Sequence, residues 1–146
     1  MEKFEMQKDI LVMYVSAASF PDGIEAAFKK LETSLPAKDG RNFFGISWAD
    51  KNGKIVYKAA AGEKFPGEGK SLGLETFVIK KGTYISKLIT DFMKNKQEIG
   101  ATFKQMLKHP ELDTNSYCLE WYEGGEVLCM VKLESVKDKR PEKSIK

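Results

Sequence analysis

The chain has few of the residues that bind metals or form disulfide bonds. Its 146 residues contain one histidine, His109, and two cysteines, Cys118 and Cys129, which stand apart and do not form a CxxC pair. A single imidazole is too little for a zinc signature or a Ser-His-Asp set, and no glycine-rich phosphate loop ends in Lys-Ser or Lys-Thr. We therefore expect no metal, and two thiols that are reduced and buried.

The chain also lacks an apolar stretch long enough to cross a bilayer. The run from Ile10 to Phe20 is too short, follows acidic residues at positions 2, 5 and 9, and does not have a signal-peptide layout. We expect a cytoplasmic protein with no membrane partner, a compartment in which both thiols stay reduced.

Positive and negative charges are balanced over most of the sequence. The formal net charge of +3 is accounted for by residues 137–146, which carry five basic and two acidic side chains, so residues 1–136 are net neutral. Nucleic-acid binding normally uses a basic face within the fold, so we expect no direct nucleic-acid binding. We expect one folded domain over residues 1–136 and a flexible basic tail over 137–146.

The first half of the sequence predicts a strand, a helix and a hairpin. Ile10–Val15 is a continuous apolar run of strand-forming residues, and apolar side chains then recur at helical spacing from Ile24 until Pro36. After a predicted loop at 37–42, the segments 43–48 and 54–59 flank Asn52-Gly53, a sequence typical of a hairpin turn. The glycine-rich segment 62–73 predicts a flexible connection at a module boundary.

The second half has the same order of elements. Segments 74–79 and 82–84 predict strand, a helix near 99–107 ends before Pro110, and strands at 117–122 and 127–133 flank Gly124-Gly125. The segment 85–96 fits either a strand end or a short helix. Two β-α-β-β modules, at about 8–62 and 73–134, predict an α+β fold with one antiparallel sheet and both helices on one face. The uncovered face is then solvated, paired, or a concave aromatic surface.

Glu120 is the residue that most needs an explanation. It interrupts the apolar sequence Tyr117-Cys-Leu-Glu-Trp-Tyr122. A carboxylate buried among aromatic side chains must be paired, be protonated or await a cationic ligand, and an aromatic cage with one carboxylate is a recurring way to bind an organic cation. The alternative is that Glu120 reaches solvent from an edge strand, and that Trp48, Tyr57 and Trp121 are ordinary packing residues.

Several short stretches carry a resemblance to a known family. In the second half these stretches are, in order, Leu74-Glu-Thr-Phe-Val-Ile79, Lys81-Gly-Thr-Tyr84, a helix, Cys118-Leu-Glu-Trp-Tyr122 and Cys129-Met-Val-Lys-Leu133. In the first half, residues 45–46 and 57–60 carry the same resemblance. In this order, over about residues 8–134, they resemble the GyrI-like small-molecule-binding family, also called the effector-binding domain of bacterial transcription activators, and in particular a stand-alone bacterial branch of it. Many relatives carry a DNA-binding domain ahead of this module, whereas about nine residues precede the first strand here.

The resemblance implies a cleft at the pseudo-two-fold axis between the modules, which binds bulky, cationic or aromatic compounds. It places the ligand-contacting glutamate at Glu120. The expected ligand-binding residues are Glu120, Trp48, Tyr57, Phe44, Phe77, Tyr84 and Tyr122. The implied function is a non-enzymatic sensor, a sequestering protein or an effector-binding part of a transcription regulator, with no cofactor.

Three alternatives remain open at this point. Some single-domain relatives hydrolyse reactive electrophilic compounds, in which case Glu120, Tyr57 and Tyr122 would be catalytic. The family also includes a member that inhibits another protein, so a protein partner is a second alternative. A haem-binding relative is the third, although the sequence selects no iron ligand among His109, the two cysteines and the six methionines.

Overall fold

The computed structural model describes residues 1–36 and 40–135. The predicted loop at 37–42 lies partly outside these residues, and the predicted tail at 137–146 lies wholly outside them. Eight strands and three α-helices follow one another along the described chain. In order they are β1 (Glu2–Met6), β2 (Ile10–Ser16), α1 (Ile24–Ser34), β3 (Phe43–Ala49), β4 (Ile55–Gly62), α2 (Glu68–Ser71), β5 (Glu75–Ile79), β6 (Gly82–Ile89), α3 (Lys96–Met106), β7 (Cys118–Glu123) and β8 (Glu126–Lys132).

Local sequence signals account for the ends of several elements. Helix α1 ends as Leu35 turns to an extended conformation ahead of Pro36, because proline disfavours helical backbone in the residue before it. The β3–β4 turn is held by the Asp50 carboxylate, which accepts hydrogen bonds from the backbone N–H groups of Asn52 and Lys54 at 2.8 and 2.9 Å. Gly53 supplies the positive φ, 80°, that this turn requires.

All eight strands form one antiparallel sheet in the order β1-β6-β8-β7-β3-β4-β2-β5. Its centre is the pairing of β3 with β7, and each half of the sheet continues outward from that pair in the same way. Strand β1 leads into β2 but pairs with β6, and β5 leads into β6 but pairs with β2. The two halves therefore exchange their outermost strands, which ties them into a single sheet.

The predicted α+β fold with one antiparallel sheet is confirmed. Helix α1 packs on β4 and β2 through Ala27 and Leu31, and α3 packs on β8 through Phe103 and Met106. The strand register puts both helices on the same face, as predicted. Among the described residues, no helix is both long and apolar enough to cross a membrane.

The opposite face is closed by its own apolar core because the sheet curls. The largest buried cluster lies there and contains Phe44 and Leu119 from the central strands, together with Met6 from β1 and Ile79 from β5. Residues from both edges of the sheet thus meet in one cluster. This core occupies the face on which the sequence left room for an aromatic ligand surface.

Three local expectations need correction or completion. Strand β1 was not predicted; its partner, β6, is far away in sequence. The connection predicted as flexible contains α2, where Glu68 is buried and paired with the Arg41 guanidinium. The segment 85–96 is a strand to Ile89, followed by a short 3₁₀ turn, Phe92–Lys94.

Candidate functional site

The two helices leave the central strands uncovered, and this opening is a groove. Helix α1 lies over β4 and β2, and α3 lies over β8 and β6, so the floor between them is formed by β3 and β7. The groove has a volume of about 1740 Å³. It therefore lies between the two halves of the sheet on the helix-bearing face.

Glu120 lies on this floor and is held by two tyrosines. Tyr57, on β4, donates a hydrogen bond from its hydroxyl to Glu120 Oε1 at 2.6 Å, and Tyr122, two residues along β7, donates to the same oxygen at 2.5 Å. Strand alternation puts Glu120 and Tyr122 on one face, and the register places Tyr57 on that face from two strands away. Glu120 is 8% exposed. The expectation that its carboxylate is buried among aromatic side chains agrees with this geometry.

A glycine makes room for this cluster. Gly45, on β3, pairs with Glu120 across the central strands. A Cβ on Gly45 would collide with both the Tyr57 hydroxyl and Glu120 Oε1. The absence of a side chain at position 45 is what allows the phenol of Tyr57 to cross β3 and reach the carboxylate.

Burial determines the protonation of the cluster. Removal from water raises the pKa of Glu120, and the two hydroxyl donors, which favour the carboxylate, only partly offset that effect. Burial, followed by the nearby Glu120 charge, raises the pKa values of Tyr57 and Tyr122 above that of an exposed tyrosine. The tyrosines are therefore neutral donors at physiological pH, and a charged Glu120 is poorly solvated.

Aromatic side chains from separate elements surround the carboxylate. Phe28, on α1, makes edge-to-face contacts with Tyr57 and Tyr122, at ring-centroid distances of 6.3 and 5.8 Å. Phe20 stacks on Tyr57 at 6.0 Å, and Phe92 packs against Tyr122 at 5.2 Å from the other side of the groove. The walls of the groove thus present ring faces and edges to any molecule that lies over Glu120.

Acidic side chains outnumber basic ones along the groove. Among the described residues that line it, six are acidic and three are basic. The acidic ones are Asp22, Glu25, Glu32, Asp113, Glu120 and Glu123, and the basic ones are Arg41, Lys96 and Lys104. Arg41 is paired with Glu68 and Asp113 is paired with Lys132, so these two charges are already balanced, and acidic residues still outnumber basic ones among the others. The potential in the groove therefore favours cations.

The structure divides the residues predicted from sequence into three groups. Glu120, Tyr57 and Tyr122 lie together on the floor of the groove. Trp48 and Phe77 stack on each other at 6.1 Å and border the groove at one end. Both pack against the core on the opposite face, and alternation along β3 puts Trp48 on the face that carries Phe44, not on the face of Glu120. The other two, Phe44 and Tyr84, are fully buried in the core on the opposite face.

Three of the wall residues, Phe28, Phe92 and Phe20, were not predicted from the sequence. Phe28 falls on the apolar stripe of α1, which predicts packing against the sheet. Phe92 lies in the segment whose structure was left open. Phe20 was considered only as the end of the apolar run that begins at Ile10. For Phe20, the available signal was an aromatic side chain just before a predicted helix; Phe28, inside that helix, gave no signal that distinguishes it from a core residue.

The cysteines and acidic groups provide no metal centre. Cys118 and Cys129 are both free, and burial raises their thiol pKa values to about 11 and about 12. Cys129 is buried, as expected, whereas Cys118 is half-buried and borders the groove. Within residues 1–36 and 40–135, no group of three or more His, Cys, Asp or Glu side chains is placed to hold a metal ion.

Solved structures with the same fold are known, although sequence comparison finds no relative. No family model matches the chain, and no curated protein matches it. An integron cassette protein from Vibrio cholerae, VCH_CASS2, superposes with a TM-score of 0.67 at 11% identity, over 91% of this chain and 95% of the other. SAV2435, solved with tetraphenylphosphonium bound, has a TM-score of 0.60 at 11% identity, over 90% and 93% of the two chains.

A third structure extends the comparison. A protein from Staphylococcus aureus MU50, named for a role in bacterial transcription regulation, has a TM-score of 0.51 at 11% identity, over 90% of this chain and 95% of the other. These likenesses cover nearly the whole chain and establish a shared fold. They agree with the fold that the GyrI-like resemblance implies.

Proposed function

We propose that this protein is a GyrI-like binding protein that takes a hydrophobic organic cation into the groove, with Glu120 as the counter-charge. The observation that carries the proposal is the buried Glu120 carboxyl, held on one oxygen by Tyr57 and Tyr122 at the floor of an aromatic groove. The protein would act in the cytoplasm as a sensor, a sequestering protein or an effector-binding part of a transcription regulator.

A buried carboxylate favours this function because it is costly in the absence of a cation. Charged groups are seldom buried unless they are paired, since the loss of hydration is only partly recovered by hydrogen bonds. No basic side chain among the described residues forms an ion pair with Glu120. A cationic ligand would supply the missing positive charge and lower the raised pKa of the carboxyl.

The walls support the same class of ligand. Aromatic rings attract a cation placed over their faces by about 0.5–2 kcal/mol each, and they also bury the apolar body of the ligand. Phe28 and Phe92 both contact Tyr122 beside Glu120, and acidic residues outnumber basic ones in the lining. A compound with a positive centre and aromatic substituents satisfies both features of the groove.

The structural neighbours point to the same class. SAV2435 was solved with tetraphenylphosphonium, a cation surrounded by four phenyl groups. We extend that ligand class, and not that compound, to the present chain, because the groove combines rings with one buried carboxyl. A regulatory role is proposed by analogy with the Staphylococcus aureus neighbour.

Calorimetric titration with tetraphenylphosphonium tests the proposal. We expect binding to the wild-type protein, and at least about tenfold weaker binding to Glu120→Gln. Triphenylphosphine oxide, a neutral compound of similar shape, should bind weakly to both. Glu126→Gln removes the same charge from an exposed position on β8, outside the groove lining, and should leave the affinity nearly unchanged. Equal affinity in wild type and Glu120→Gln would contradict the proposal.

A second candidate function is hydrolysis of a reactive electrophile. The observation that favours it is the raised pKa of Glu120 beside two tyrosine hydroxyls, since a carboxyl with a raised pKa serves as a general acid or base near neutral pH. Incubation with an activated cyclopropane, followed by chromatography, tests it. Turnover by wild type that disappears in both Glu120→Gln and Tyr57→Phe would support an enzyme, and unchanged substrate would exclude this reaction.

A further inference from the structure

The two oxygens of the Glu120 carboxyl have different surroundings. Oε1 accepts both tyrosine hydroxyl hydrogens, at 2.6 and 2.5 Å. A carboxylate oxygen has two in-plane lone pairs, so these two donors use the capacity of Oε1. A ligand that bonds to Glu120 must therefore approach the other oxygen.

Oε2 is the oxygen that remains available. None of the described residues donates a hydrogen bond to it. Across residues 1–36 and 40–135, Ser116 Oγ is the only buried side-chain nitrogen or oxygen atom that has no hydrogen-bond partner. Glu120 Oε2 also has no hydrogen-bond partner but is not among these buried atoms, so it keeps some exposed surface. Glu120 borders the groove, so a ligand in the groove can reach this oxygen. The cluster thus presents one unused acceptor at the groove floor.

From this arrangement we infer that the cationic group bound at Glu120 carries an N–H donor, as a protonated amine or amidine does, and donates it to Oε2. This inference rests on the proposed function and specifies its ligand class. A hydrogen bond from a charged N–H to a carboxylate is short and directional, and it gives Oε2 a partner when the bound ligand shields this oxygen from water. A quaternary ammonium or phosphonium centre has no donor and leaves Oε2 unsatisfied.

The rest of the groove near Glu120 does not make this distinction. The surrounding rings of Phe20, Phe28 and Phe92 attract any cation through the charge distribution of the ring. The hydroxyls of Tyr57 and Tyr122 are already directed at Oε1. Within the cluster of Glu120, Tyr57 and Tyr122, selection between cations with and without an N–H donor therefore depends on one atom, Glu120 Oε2.

A matched pair of compounds tests the inference. The first is (2,2-diphenylethyl)dimethylamine, which is protonated at neutral pH, and the second is its N-methylated quaternary salt; both carry one positive charge and the same two rings. Titration calorimetry with the full chain should show the amine binding at least about tenfold more tightly, equivalent to about 1.4 kcal/mol. In Glu120→Gln the tyrosines hold the amide oxygen, and the amide N–H₂ group replaces Oε2. The preference should then disappear.

The possible outcomes distinguish a failure of this inference from a failure of the proposed function. Equal affinities in the wild type, or tighter binding of the quaternary salt, would overturn this inference and leave cation binding intact. A full tenfold preference that persists in Glu120→Gln would also overturn it, because the donor would then be recognised elsewhere. If neither compound, nor tetraphenylphosphonium, binds to the wild type, the proposed function fails and the inference fails with it.

Discussion

Gly45 and Glu120 are directly paired across the two central strands, and the space above the glycine is filled by the Tyr57 hydroxyl on its way to the carboxylate. A side chain at position 45 would displace the contacts of Glu120. The carboxyl is thus built into the junction between the two halves of the sheet. This is the point at which a ligand in the groove would contact both halves.

Gly45→Ala should disturb the site directly. The added methyl group collides with the Tyr57 hydroxyl and with Glu120 Oε1, so the phenol must move. We expect a loss of about 1–3 kcal/mol in the free energy of unfolding, from overpacking. Urea denaturation measures it. Gly125→Ala is the control, because a Cβ there meets nothing within 4 Å, and it should change stability far less. Equal stability of the two variants would show that the space at position 45 is not needed.

Glu120→Gln should stabilise the free protein at neutral pH. Because the folded-state pKa of Glu120 is raised, its contribution to stability is full below the unfolded-state pKa and is lost as pH rises through the folded-state pKa. Glutamine does not ionise, so the variant does not lose this stability as pH rises, and its amide oxygen still accepts the tyrosine hydroxyls. We expect the variant to be more stable by about 1 kcal/mol at neutral pH, and the difference to vanish in acid. A wild type that is more stable than the variant at neutral pH would contradict this.

Phe28→Ala should weaken ligand binding through the wall of the groove. Phe28 is in contact with both tyrosines that hold Glu120, so its removal takes away ring surface and loosens their positions. We expect a decrease of about tenfold in the affinity for tetraphenylphosphonium, measured by calorimetry. Leu88→Ala, an exposed residue on the opposite face, is the control and should bind like wild type. Unchanged affinity in Phe28→Ala would show that Phe28 does not contribute to ligand binding.

Glu68 should respond to pH in the opposite direction to Glu120. Hydrogen bonding to the Arg41 guanidinium lowers the pKa of Glu68 to about 2. Its contribution is therefore present above the unfolded-state pKa and is lost as pH falls towards about 2. Glu68→Gln removes the carboxylate that accepts two hydrogen bonds from the buried Arg41 guanidinium and should cost about 3–5 kcal/mol at neutral pH. Chemical denaturation, with the exposed Glu75→Gln as control, checks this; a loss no larger than the control's would contradict it.

Local sequence signals were sufficient to predict most of the strands and helices. Asn52-Gly53 predicts the central hairpin and Pro36 predicts the end of α1, because in both cases the backbone preference of one or two residues decides the outcome. Strand β1 has no such signal: only two of its five residues, Phe4 and Met6, are apolar, and its pairing partner β6 follows about 80 positions later. Such a strand exists only through tertiary contacts.

The site was predictable in part. Glu120 stood out because a carboxylate within an apolar strand needs a partner, and alternation placed Tyr122 beside it. Alternation does not say which faces of neighbouring strands coincide, since that depends on register. For this reason Phe44 and Tyr84 were grouped with residues that lie on the other side of the sheet. The wall residue Phe28 could not be distinguished from a core residue until α1 was placed at the edge of the groove.

The most direct test of the account is the pKa of Glu120 itself, measured by ¹³C NMR of the side-chain carboxyl with and without tetraphenylphosphonium. The account predicts a pKa above the ordinary value of 4.5 in the free protein, because the group is buried. On saturation with the cation, that pKa should fall, because a positive charge beside the carboxylate favours its ionised form. A carboxyl whose pKa does not change when the cation binds would contradict the claim that Glu120 is its counter-charge.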